Sequence, residues 1–413
     1  MNYGCIGERL KHSFSKEIHN SLAPYKYELC EVAKEDLERF MKSSDFKAIN
    51  VTIPYKEKVI PYLYKIDAHA QEIGAVNTVV NRGGKLYGYN TDFYGMSMLF
   101  SHAGIDVKGK KVLILGTGGT SKTARAVTRA LGAKETVTVS RTKSDFAVDY
   151  KEAYAKHSDA DIIVNTTPVG MYPACYDTPI DISVFPNLSG VIDAIYNPLR
   201  TPLVSEAKKR GIKAEGGLYM LVAQAVRASE IFTDCTYPDG TCEKVYNSLL
   251  LGKENIVLIG MPASGKSTVG ACLCDLLKRK LYDTDSIVID NTGMDIPKIF
   301  SRYGEDYFRD EESRAVREAG MNTSAIVATG GGVILREENV DVLKQNGRVF
   351  FLDRPLELLI PTKDRPLSST KEAITKRFEE RYPVYLSLAD ERIDASGSIE
   401  EVANKIIDRR KML

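Results

Sequence analysis

The chain is short of histidine, of paired cysteines and of long apolar runs, and each shortage argues against a class of function. It has 413 residues but only five histidines, all within the first 157 positions, so its C-terminal half has no imidazole for catalysis. We therefore expect that half to act through lysine, arginine, aspartate, serine and a bound ion. Seven scattered cysteines include no CxxC pair, which argues against a disulfide framework or a cysteine zinc site.

The sequence also lacks a membrane-spanning segment and an excess of charge, which argues against membrane proteins and nucleic-acid-binding proteins. No apolar run approaches the roughly 18 residues that span a bilayer, and the first residues show no secretion signal. The formal net charge of +1 provides no field that would attract a polyanion. We predict a cytoplasmic protein that acts on small molecules and binds neither membrane nor nucleic acid. The sequence leaves its oligomeric state open.

Strand and helix patterns alternate almost throughout the chain. Short β-rich runs such as "KVLILG", "DIIVNTT", "NIVLIG" and "RVFFLD" are separated by segments with helical periodicity. This alternation predicts an α/β fold with parallel sheets and crossover helices. The length exceeds the roughly 250 to 300 residues that one hydrophobic core serves, so two or three domains are expected. A turn-rich stretch at 236–240 places a boundary near residue 252.

The run "KVLILGTGGTSKTARAV", which begins at Lys111, predicts a strand, a G-x-G-x-x-S turn and a helix. Such glycines let a pyrophosphate approach a helix N-terminus. An NAD-preferring fold has an acidic residue at the end of the next strand, where this chain has a guanidinium between two hydroxyls, so we predict NADP. The alternative is an arginine that is merely solvated. The predicted cofactor-binding residues are Gly116, Gly118, Gly119, Thr120, Ser121, Ser140, Arg141, Thr142 and Gly217.

Two residues before that loop are candidates for proton transfer. Lys56 in "NVTIPYKEKV" lies just past a predicted strand, and Asp92 in "GYNTDFYG" lies beside a turn. A lysine can donate a proton to the alkoxide that develops during carbonyl reduction, while a carboxylate orients it. The alternative for Lys56 is an ordinary surface lysine.

The run "IVLIGMPASGKSTVG", at 256–270, matches the phosphate-binding pattern G-x-x-x-x-G-K-[ST]. In this pattern backbone amides surround phosphates, the lysine reaches their oxygens and the hydroxyl binds Mg²⁺. The C-terminal half is therefore predicted to be a nucleoside triphosphate enzyme. The predicted nucleotide-binding residues are Gly260, Gly265, Lys266, Ser267 and Thr268.

The acceptor of that half is predicted from carboxylates and arginines. Asp283 and Asp285 in "LYDTD" stand two apart at a strand end, so one could serve Mg²⁺ together with Ser267 and the other could hold a hydroxyl. Arg309 and Arg381 favour an anionic acceptor, because guanidinium pairs bidentately with carboxylate. For each arginine alone, the alternative is a surface ion pair.

Six further runs are spread over the first 250 residues: "HSFSKEIHN", "NVTIPYK", "GAVNT", "NTDFYG", "NTTPVGM" and "GGLYMLVAQA". In their order and spacing they resemble the shikimate dehydrogenases. The resemblance implies reduction of 3-dehydroshikimate by NADPH at a cleft, with Lys56 as the catalytic group. Lys16 and the pair Glu8-Arg9 depart from the family pattern. These departures flank the two serines, so they affect the expected conformation of the loop and not its chemistry. The residues implied to hold the substrate are Ser13, Ser15, Thr52, Asn77, Asp92, Tyr196 and Gln224.

Residues 253 to 413 resemble the shikimate kinases through the phosphate loop, "DTD", "FRD", "TGGG" and "RYPVY". The resemblance implies transfer of the ATP γ-phosphoryl group to the 3-hydroxyl of shikimate. Lys266 would stabilise that group, Asp285 would bind the hydroxyl and take its proton, and the lid would contribute Arg365. The family commonly has an arginine that stacks on adenine where this chain has Pro361. The residues implied to bind the carboxylate are Arg309, Arg381 and the backbone of Gly331.

Together the two resemblances imply a bifunctional enzyme of aromatic amino acid biosynthesis, in which the first product is the second substrate. The expected organisation is a substrate-binding domain at 1–100, a Rossmann NADP domain at 101–230 and a P-loop kinase domain at 253–413. A helix near 231–251 is expected to pack back on the first domain. The alternatives are a quinate/shikimate dehydrogenase fused to a regulatory or weakly active nucleotide-binding module, or a gluconate-type or nucleotide kinase in the second half.

Overall fold

The computed structural model describes residues 1–8, 10, 14–360 and 370–412. It divides into two compact units, Met1–Leu249 and Leu250–Leu413. The first unit contains two six-stranded sheets and the second contains one five-stranded sheet. The α/β class with parallel sheets, predicted from the alternation of strand and helix patterns, is confirmed. Among the described residues, no helix has the length and apolar character that crossing a bilayer requires.

The first sheet forms the N-terminal lobe of the first unit, in the order β2-β1-β3-β5-β6-β4. Strands β1, β2 and β3 are parallel, whereas β5 pairs in antiparallel fashion with β3 and β6. The end of α8 packs on this sheet through Ala228 and Phe232. The strands are β1 Tyr3–Gly7, β2 Tyr27–Glu31, β3 Ala48–Val51, β4 Lys65–Ile66, β5 Thr78–Arg82 and β6 Lys85–Tyr89; the helices are α1 Ser15–Leu22, α2 Leu37–Ser43, α3 Ala68–Ile73 and α4 Thr91–His102, and α8 is Leu218–Thr233.

The second sheet forms the dinucleotide lobe and is parallel throughout, in the order β12-β11-β10-β7-β8-β9. Read from the other edge this is 3-2-1-4-5-6, the order of a dinucleotide-binding fold, whose ligands bind where the order reverses. The strands are β7 Lys111–Leu115, β8 Glu135–Ser140, β9 Val148–Asp149, β10 Ile162–Asn165, β11 Gly190–Asp193 and β12 Lys213–Glu215; the helices are α5 Gly119–Ala130, α6 Tyr150–Lys156 and α7 Pro202–Lys209. Helix α9, Thr241–Lys253, contacts α4 and α8, where the Tyr246 ring meets those of His102 and Tyr219.

The sheet of the second unit is also parallel, in the order β14-β15-β13-β16-β17. Its central strand β13 is buried along its whole length, and the phosphate loop follows directly from it. The strands are β13 Asn255–Ile259, β14 Leu281–Asp283, β15 Ile326–Ala328, β16 Gly347–Asp353 and β17 Glu391–Asp394; the helices are α10 Lys266–Leu277, α11 Thr284–Thr292, α12 Ile296–Gly320, α13 Glu337–Asn346, α14 Lys371–Leu388 and α15 Ile399–Lys411.

Candidate active sites

A cavity of about 830 Å³ lies in the first unit, and both of its lobes line it. It contains side chains from the end of β3, the first turn of α4 and the inner face of α8. Residues that are far apart in the chain therefore converge on one space. The predicted site residues that line it are Ser15, Thr52, Lys56, Asn77, Asp92, Thr120, Tyr196, Gly217 and Gln224.

The predicted proton-transfer residues form an ion pair at the wall of this cavity. Lys56 Nζ donates to Asp92 Oδ2 at 2.7 Å, and their side chains are 24% and 15% exposed. Asn90 caps α4 by accepting from the N–H of Phe93 at 3.2 Å, which begins the helix beside Asp92. The carboxylate thus holds the ammonium group where a substrate oxygen in the cavity can reach it.

A buried polar network forms part of this wall. The side chain of Asn77 accepts from the N–H of Thr91 at 2.8 Å and donates to its hydroxyl at 3.0 Å. The amide of Asn50 donates to the Asn77 carbonyl at 3.3 Å and accepts from the Tyr27 hydroxyl at 2.7 Å. The sequence analysis did not identify Asn50, although it is a polar residue within a buried strand, which is an unusual position.

Gly217, in the turn before α8, and Gln224, on α8, complete the wall of the cavity. A Cβ at Gly217 would lie 2.2 Å from the Ala194 carbonyl oxygen, so the close contact between these segments needs glycine. Gln224 donates through Nε2 to the Leu221 carbonyl at 2.8 Å, and its Oε1 accepts from Thr91 at 3.4 Å. The amide group is thereby oriented at the cavity wall.

The segment that contains Tyr196 is held by hydrogen bonds to a buried carboxylate, that of Asp193. Asp193 Oδ1 accepts from Asn165 Nδ2 and from the N–H of Ile195, both at 3.0 Å, and Oδ2 accepts from the Thr201 hydroxyl at 2.7 Å. Burial raises the pKa of Asp193 to about 6. Burial also raises the pKa of the Tyr196 hydroxyl. The sequence analysis missed this network, whose only signal was an aspartate at the end of the apolar strand "GVID".

The dinucleotide loop has the space that a pyrophosphate requires. Gly116 has a φ of 108°, and a Cβ there would lie 2.8 Å from the Thr166 hydroxyl. At Gly118 and Gly119, in contrast, a Cβ would meet no atom within 4 Å. This open space adjoins the N-terminus of α5, where backbone amides and the helix dipole favour an anion. Ser121 is buried within the helix. The loop therefore fits the predicted cofactor.

The predicted 2′-phosphate residues form a turn after β8, the neighbour of β7 in the sheet. The Ser140 hydroxyl donates to the Thr142 carbonyl at 2.5 Å and accepts from the Thr142 N–H at 3.1 Å. Arg141 is exposed at the tip of this turn. The Ser140 hydroxyl thus shapes the turn, and the guanidinium group faces solvent at the same edge of the sheet as the glycine loop.

A second cavity, of about 780 Å³, lies in the second unit. It is lined by the phosphate loop, by the start of α11 and by one face of α12 and of α14. The predicted residues that it brings together are Gly265, Lys266, Ser267, Thr268, Asp283, Asp285, Arg309, Gly331 and Arg381.

The phosphate loop closes around its own lysine. Gly260 has a φ of 149°, and a Cβ there would lie 2.9 Å from the Leu352 carbonyl oxygen; Gly265 has a φ of 92°. Lys266 Nζ donates to the carbonyls of Gly260 and Met261, both at 2.9 Å, and the side chain is buried. The ammonium group thus lies inside the loop, which fits a site for phosphate oxygens.

The predicted metal ligands are adjacent. The Ser267 hydroxyl donates to Asp283 Oδ2 at 2.6 Å. Asp283 Oδ1 caps α11 by accepting from the N–H groups of Asp285 and Ser286 at 3.0 and 3.3 Å. A hydroxyl and a carboxylate beside a phosphate loop fit Mg²⁺, which prefers oxygen ligands and completes its shell with water and phosphate.

Arg309 enters the second cavity from α12 and is held by two carboxylates. Its Nη1 donates to Glu312 Oε2 at 2.7 Å and its Nη2 donates to Glu305 Oε1 at 2.8 Å. A Cβ at Gly332 would lie 2.0 Å from Nη1, so glycine makes room for the guanidinium group. Burial raises the pKa of Glu312, and Arg309 opposes this shift. The sequence analysis missed Glu312, although a position three residues after Arg309 on a helix was a usable signal.

Arg381 enters from α14 and contacts the glycine-rich turn. Its Nη1 donates to the Gly331 carbonyl at 3.0 Å, and the buried Tyr385 hydroxyl donates to the same oxygen at 2.5 Å. A Cβ at Gly330 would lie 2.5 Å from Asp285 Oδ1, so the turn passes directly over this carboxylate. The acceptor side of the cavity thus combines two arginines with one aspartate. Among the predicted residues, Ser13, Arg365 and Pro361 lie outside the described residues.

Both parts of the chain are similar to known proteins. A shikimate dehydrogenase (NADP(+)) from Clostridium beijerinckii is 38% identical over an alignment of 261 positions, which covers 59% of this chain and 96% of that protein. The chain belongs to the shikimate dehydrogenase family. Residues 5–79 match the family model of the shikimate dehydrogenase substrate binding domain. Residues 262–411 match the shikimate kinase family model, so the chain also carries a shikimate kinase domain.

Solved structures match the first unit of this family member. Shikimate dehydrogenase 1 from Peptoclostridium difficile is 39% identical with a TM-score of 0.56, covering 60% of this chain and 98% of that one. A chorismate mutase/shikimate 5-dehydrogenase fusion from Clostridium acetobutylicum is 34% identical with a TM-score of 0.57, covering 60% and 96%. The Thermus thermophilus enzyme in complex with NADP(H) and shikimate is 29% identical with a TM-score of 0.54, covering 60% and 99%.

Proposed function

We propose that the chain reduces 3-dehydroshikimate to shikimate with NADPH and then phosphorylates the 3-hydroxyl of shikimate with ATP. The observation that carries this proposal is the presence of two cavities in two units of one chain. One contains the Lys56–Asp92 pair within a dehydrogenase-family unit, and the other contains the Lys266 loop within a kinase domain. Both families act in the shikimate pathway, so the protein is a bifunctional enzyme of that pathway.

In the reductase site, we propose that Lys56 gives a proton to the substrate oxygen as the carbonyl is reduced. NADPH, when bound, supplies the hydride. Asp92 holds the ammonium group at 2.7 Å, which fixes its direction at the cavity wall. The side chains of Ser15, Thr52, Asn77, Tyr196 and Gln224 would hold the carboxylate and hydroxyls of the substrate, together with Ser13, which lies outside the described residues.

The same proposal assigns the cofactor to the second lobe. The open space at Gly118 and Gly119 would receive the pyrophosphate at the start of α5. Arg141 would pair with the 2′-phosphate, because an exposed guanidinium group at the end of β8 suits a doubly charged oxyanion. Thr120 and Gly217 would line the cofactor's path into the cavity.

In the kinase site, we propose that Asp285 accepts the hydroxyl proton while Lys266 stabilises charge on the phosphoryl oxygens. ATP supplies the phosphoryl group and Mg²⁺ neutralises its charge when both are bound. Ser267 and Asp283 would hold the ion. Arg309 and Arg381 would bind the carboxylate of shikimate, since both guanidinium groups line the same cavity as Asp285.

A regulatory module without catalysis is the weaker alternative for the second unit. Lys266, Ser267, Asp283 and Asp285 all line one cavity together with both arginines. A module that only bound nucleotide would have no need for an acceptor pocket. The location in the cytoplasm stays a prediction from the sequence.

The proposal is tested by a coupled assay of the purified full chain. With 3-dehydroshikimate, NADPH, ATP and Mg²⁺, we expect NADPH oxidation and formation of shikimate 3-phosphate. Omission of ATP should leave NADPH oxidation intact and stop at shikimate. Omission of NADPH should abolish phosphorylated product unless shikimate is added. Failure of added shikimate to produce ADP would contradict the kinase assignment alone.

A further inference from the structure

One face of α5 contacts the N-terminal lobe of the first unit. Lys122, Ala126 and Arg129 stand at the i, i+4 and i+7 positions of this helix, so they share a face; we name these three residues the α5 stripe. Lys122 Nζ donates to Glu57 Oε1 at 2.6 Å, and Arg129 pairs with Glu72. The α5 stripe therefore joins the two lobes through an ion pair near each end.

The middle of the α5 stripe is apolar. Ala126 is buried against Ile73 and Ala75, and Phe93 packs against the same cluster. Phe93 in turn stacks on His69, with ring centroids 3.9 Å apart. An apolar contact flanked by two ion pairs has a defined register, because sliding the helix along its axis would break both pairs.

The α5 stripe meets the segments that carry the proton-transfer pair. Glu57, the partner of Lys122, directly follows Lys56 in the chain. Phe93, in the apolar cluster, directly follows Asp92. The helix that receives these contacts begins at Gly119, in the dinucleotide loop. One rigid element thus touches the neighbours of both proton-transfer residues and carries the loop for the cofactor.

We propose that the α5 stripe is a positioning contact, which sets the Lys56–Asp92 pair relative to the dinucleotide loop, and that Lys122 and Glu57 are positioning residues for the reduction. This inference rests on the proposed reductase function. Hydride and proton must reach one carbonyl group together, so a small displacement between the two groups lowers the rate steeply. The Lys122 and Glu57 side chains are 43% and 59% exposed, so their pair adds little to stability and acts mainly on geometry.

The test uses charge reversal in the full chain, with Lys122→Glu, Glu57→Lys and the double swap. At low salt each single variant should lower kcat/KM for NADPH oxidation by about three- to tenfold, through kcat more than through KM, because like charges now separate the lobes. The double swap should restore the wild-type value within about twofold. High salt should shrink the differences among all four proteins.

Two controls separate positioning from a general surface effect. Glu38 and Lys42 on α2 form a pair of 2.5 Å with side chains 60% and 67% exposed, and neither residue lines the cavity. Glu38→Lys should leave the kinetics of reduction unchanged. Shikimate-dependent ADP formation by the same preparations measures the amount of folded chain, and the melting temperature of each variant should stay at the wild-type value.

Three results would overturn the inference. The first is unchanged kcat/KM in both single variants. The second is a loss in Lys122→Glu that the double swap does not restore, which would mean that Lys122 binds the cofactor itself. The third is wild-type protein that forms ADP from shikimate but oxidises no NADPH, which would remove the reductase function along with the inference.

Discussion

The glycines of the two nucleotide loops face different surroundings. A Cβ at Gly118 or Gly119 in the dinucleotide loop would meet open space. In the second unit, a Cβ at Gly260 of the phosphate loop would meet the Leu352 carbonyl oxygen, and a Cβ at Gly332 of the glycine-rich turn would meet Arg309. Gly118 and Gly119 therefore leave room for a ligand, whereas Gly260 and Gly332, like Gly116 in the first loop, are needed by the fold.

Two buried carboxylates, one in each unit, differ in the charge of their hydrogen-bond partners. Asp193 in the first unit accepts from an amide, a hydroxyl and a backbone N–H, all of which are neutral. Glu312 in the second unit is paired with the guanidinium group of Arg309. Burial raises the pKa of Asp193 to about 6, and its neutral donors oppose this shift only in part. Burial also raises the pKa of Glu312, but there the opposing partner is the Arg309 cation.

Removal of each active-site lysine should give the largest effects and the sharpest separation of the units. Lys56→Ala should lower NADPH oxidation on the order of 10²- to 10⁴-fold, because a general acid is lost. Lys266→Ala should lower ADP formation on the order of 10²- to 10³-fold, because charge on the phosphoryl oxygens loses its partner. Each variant should keep the other activity at the wild-type rate. A parallel loss of both activities in either variant would contradict the assignment of the two activities to separate units.

The Asp193→Asn variant tests the raised pKa of Asp193 through the pH dependence of the free energy of unfolding. The pKa of Asp193 in the folded chain is about 6, above the ordinary value near 4, so the folded state holds its proton more tightly. This stability is fully present below about pH 4 and is lost as pH rises through about 6. Relative to Asp193→Asn, the wild-type free energy of unfolding should fall by roughly 3 kcal/mol over that window.

Urea unfolding of both full-length proteins at pH 4 and pH 7 measures that difference. Asparagine keeps the hydrogen bonds, because Oδ1 still accepts from two donors and Nδ2 can donate to the Thr201 hydroxyl. The variant should therefore fold. Identical pH dependence in the two proteins would show that folding does not raise the pKa of Asp193.

Two glycine substitutions should give smaller effects: one should change both KM and stability, and the other should change KM alone. Gly332→Ala should displace Arg309, raise KM for shikimate about tenfold and lower the stability of the kinase unit by about 1 to 3 kcal/mol. Gly118→Ala should raise KM for NADPH about tenfold without a change in melting temperature, because its Cβ meets only the ligand's space. Equal losses of stability in the two variants would contradict the difference between the surroundings of these two glycines.

Much of both sites could be predicted because the contributing residues are close in sequence or follow strand ends. Lys266 and Ser267 are adjacent in a loop of known geometry, and Asp283 and Asp285 share a strand end. The parallel sheets followed from the alternation of strand and helix patterns. Strand order did not, because it depends on which crossover connections pack, and the sequence pattern is the same for several orders.

The supporting contacts could not be predicted because they join residues that only the tertiary fold brings together. Asn50 donates to Thr78 at 3.1 Å across 28 positions, and Lys122 reaches Glu57 across 65. Asparagine, lysine and glutamate are common on surfaces, so their type carries no signal of such a partner. The Asn50 contact depends on the pairing of β3 with β5, and the Lys122 contact depends on how the two lobes of the first unit pack. No local pattern records either.

Complementation between the two lysine variants is the most direct test of two separate sites on one chain. Lys56→Ala and Lys266→Ala are each supplied with 3-dehydroshikimate, NADPH, ATP and Mg²⁺, alone and mixed, and shikimate 3-phosphate is measured. The account predicts that product from either variant alone falls on the order of 10²-fold or more, while the mixture restores it, since free shikimate passes from one protein to the other. A mixture as inactive as its components would contradict the account.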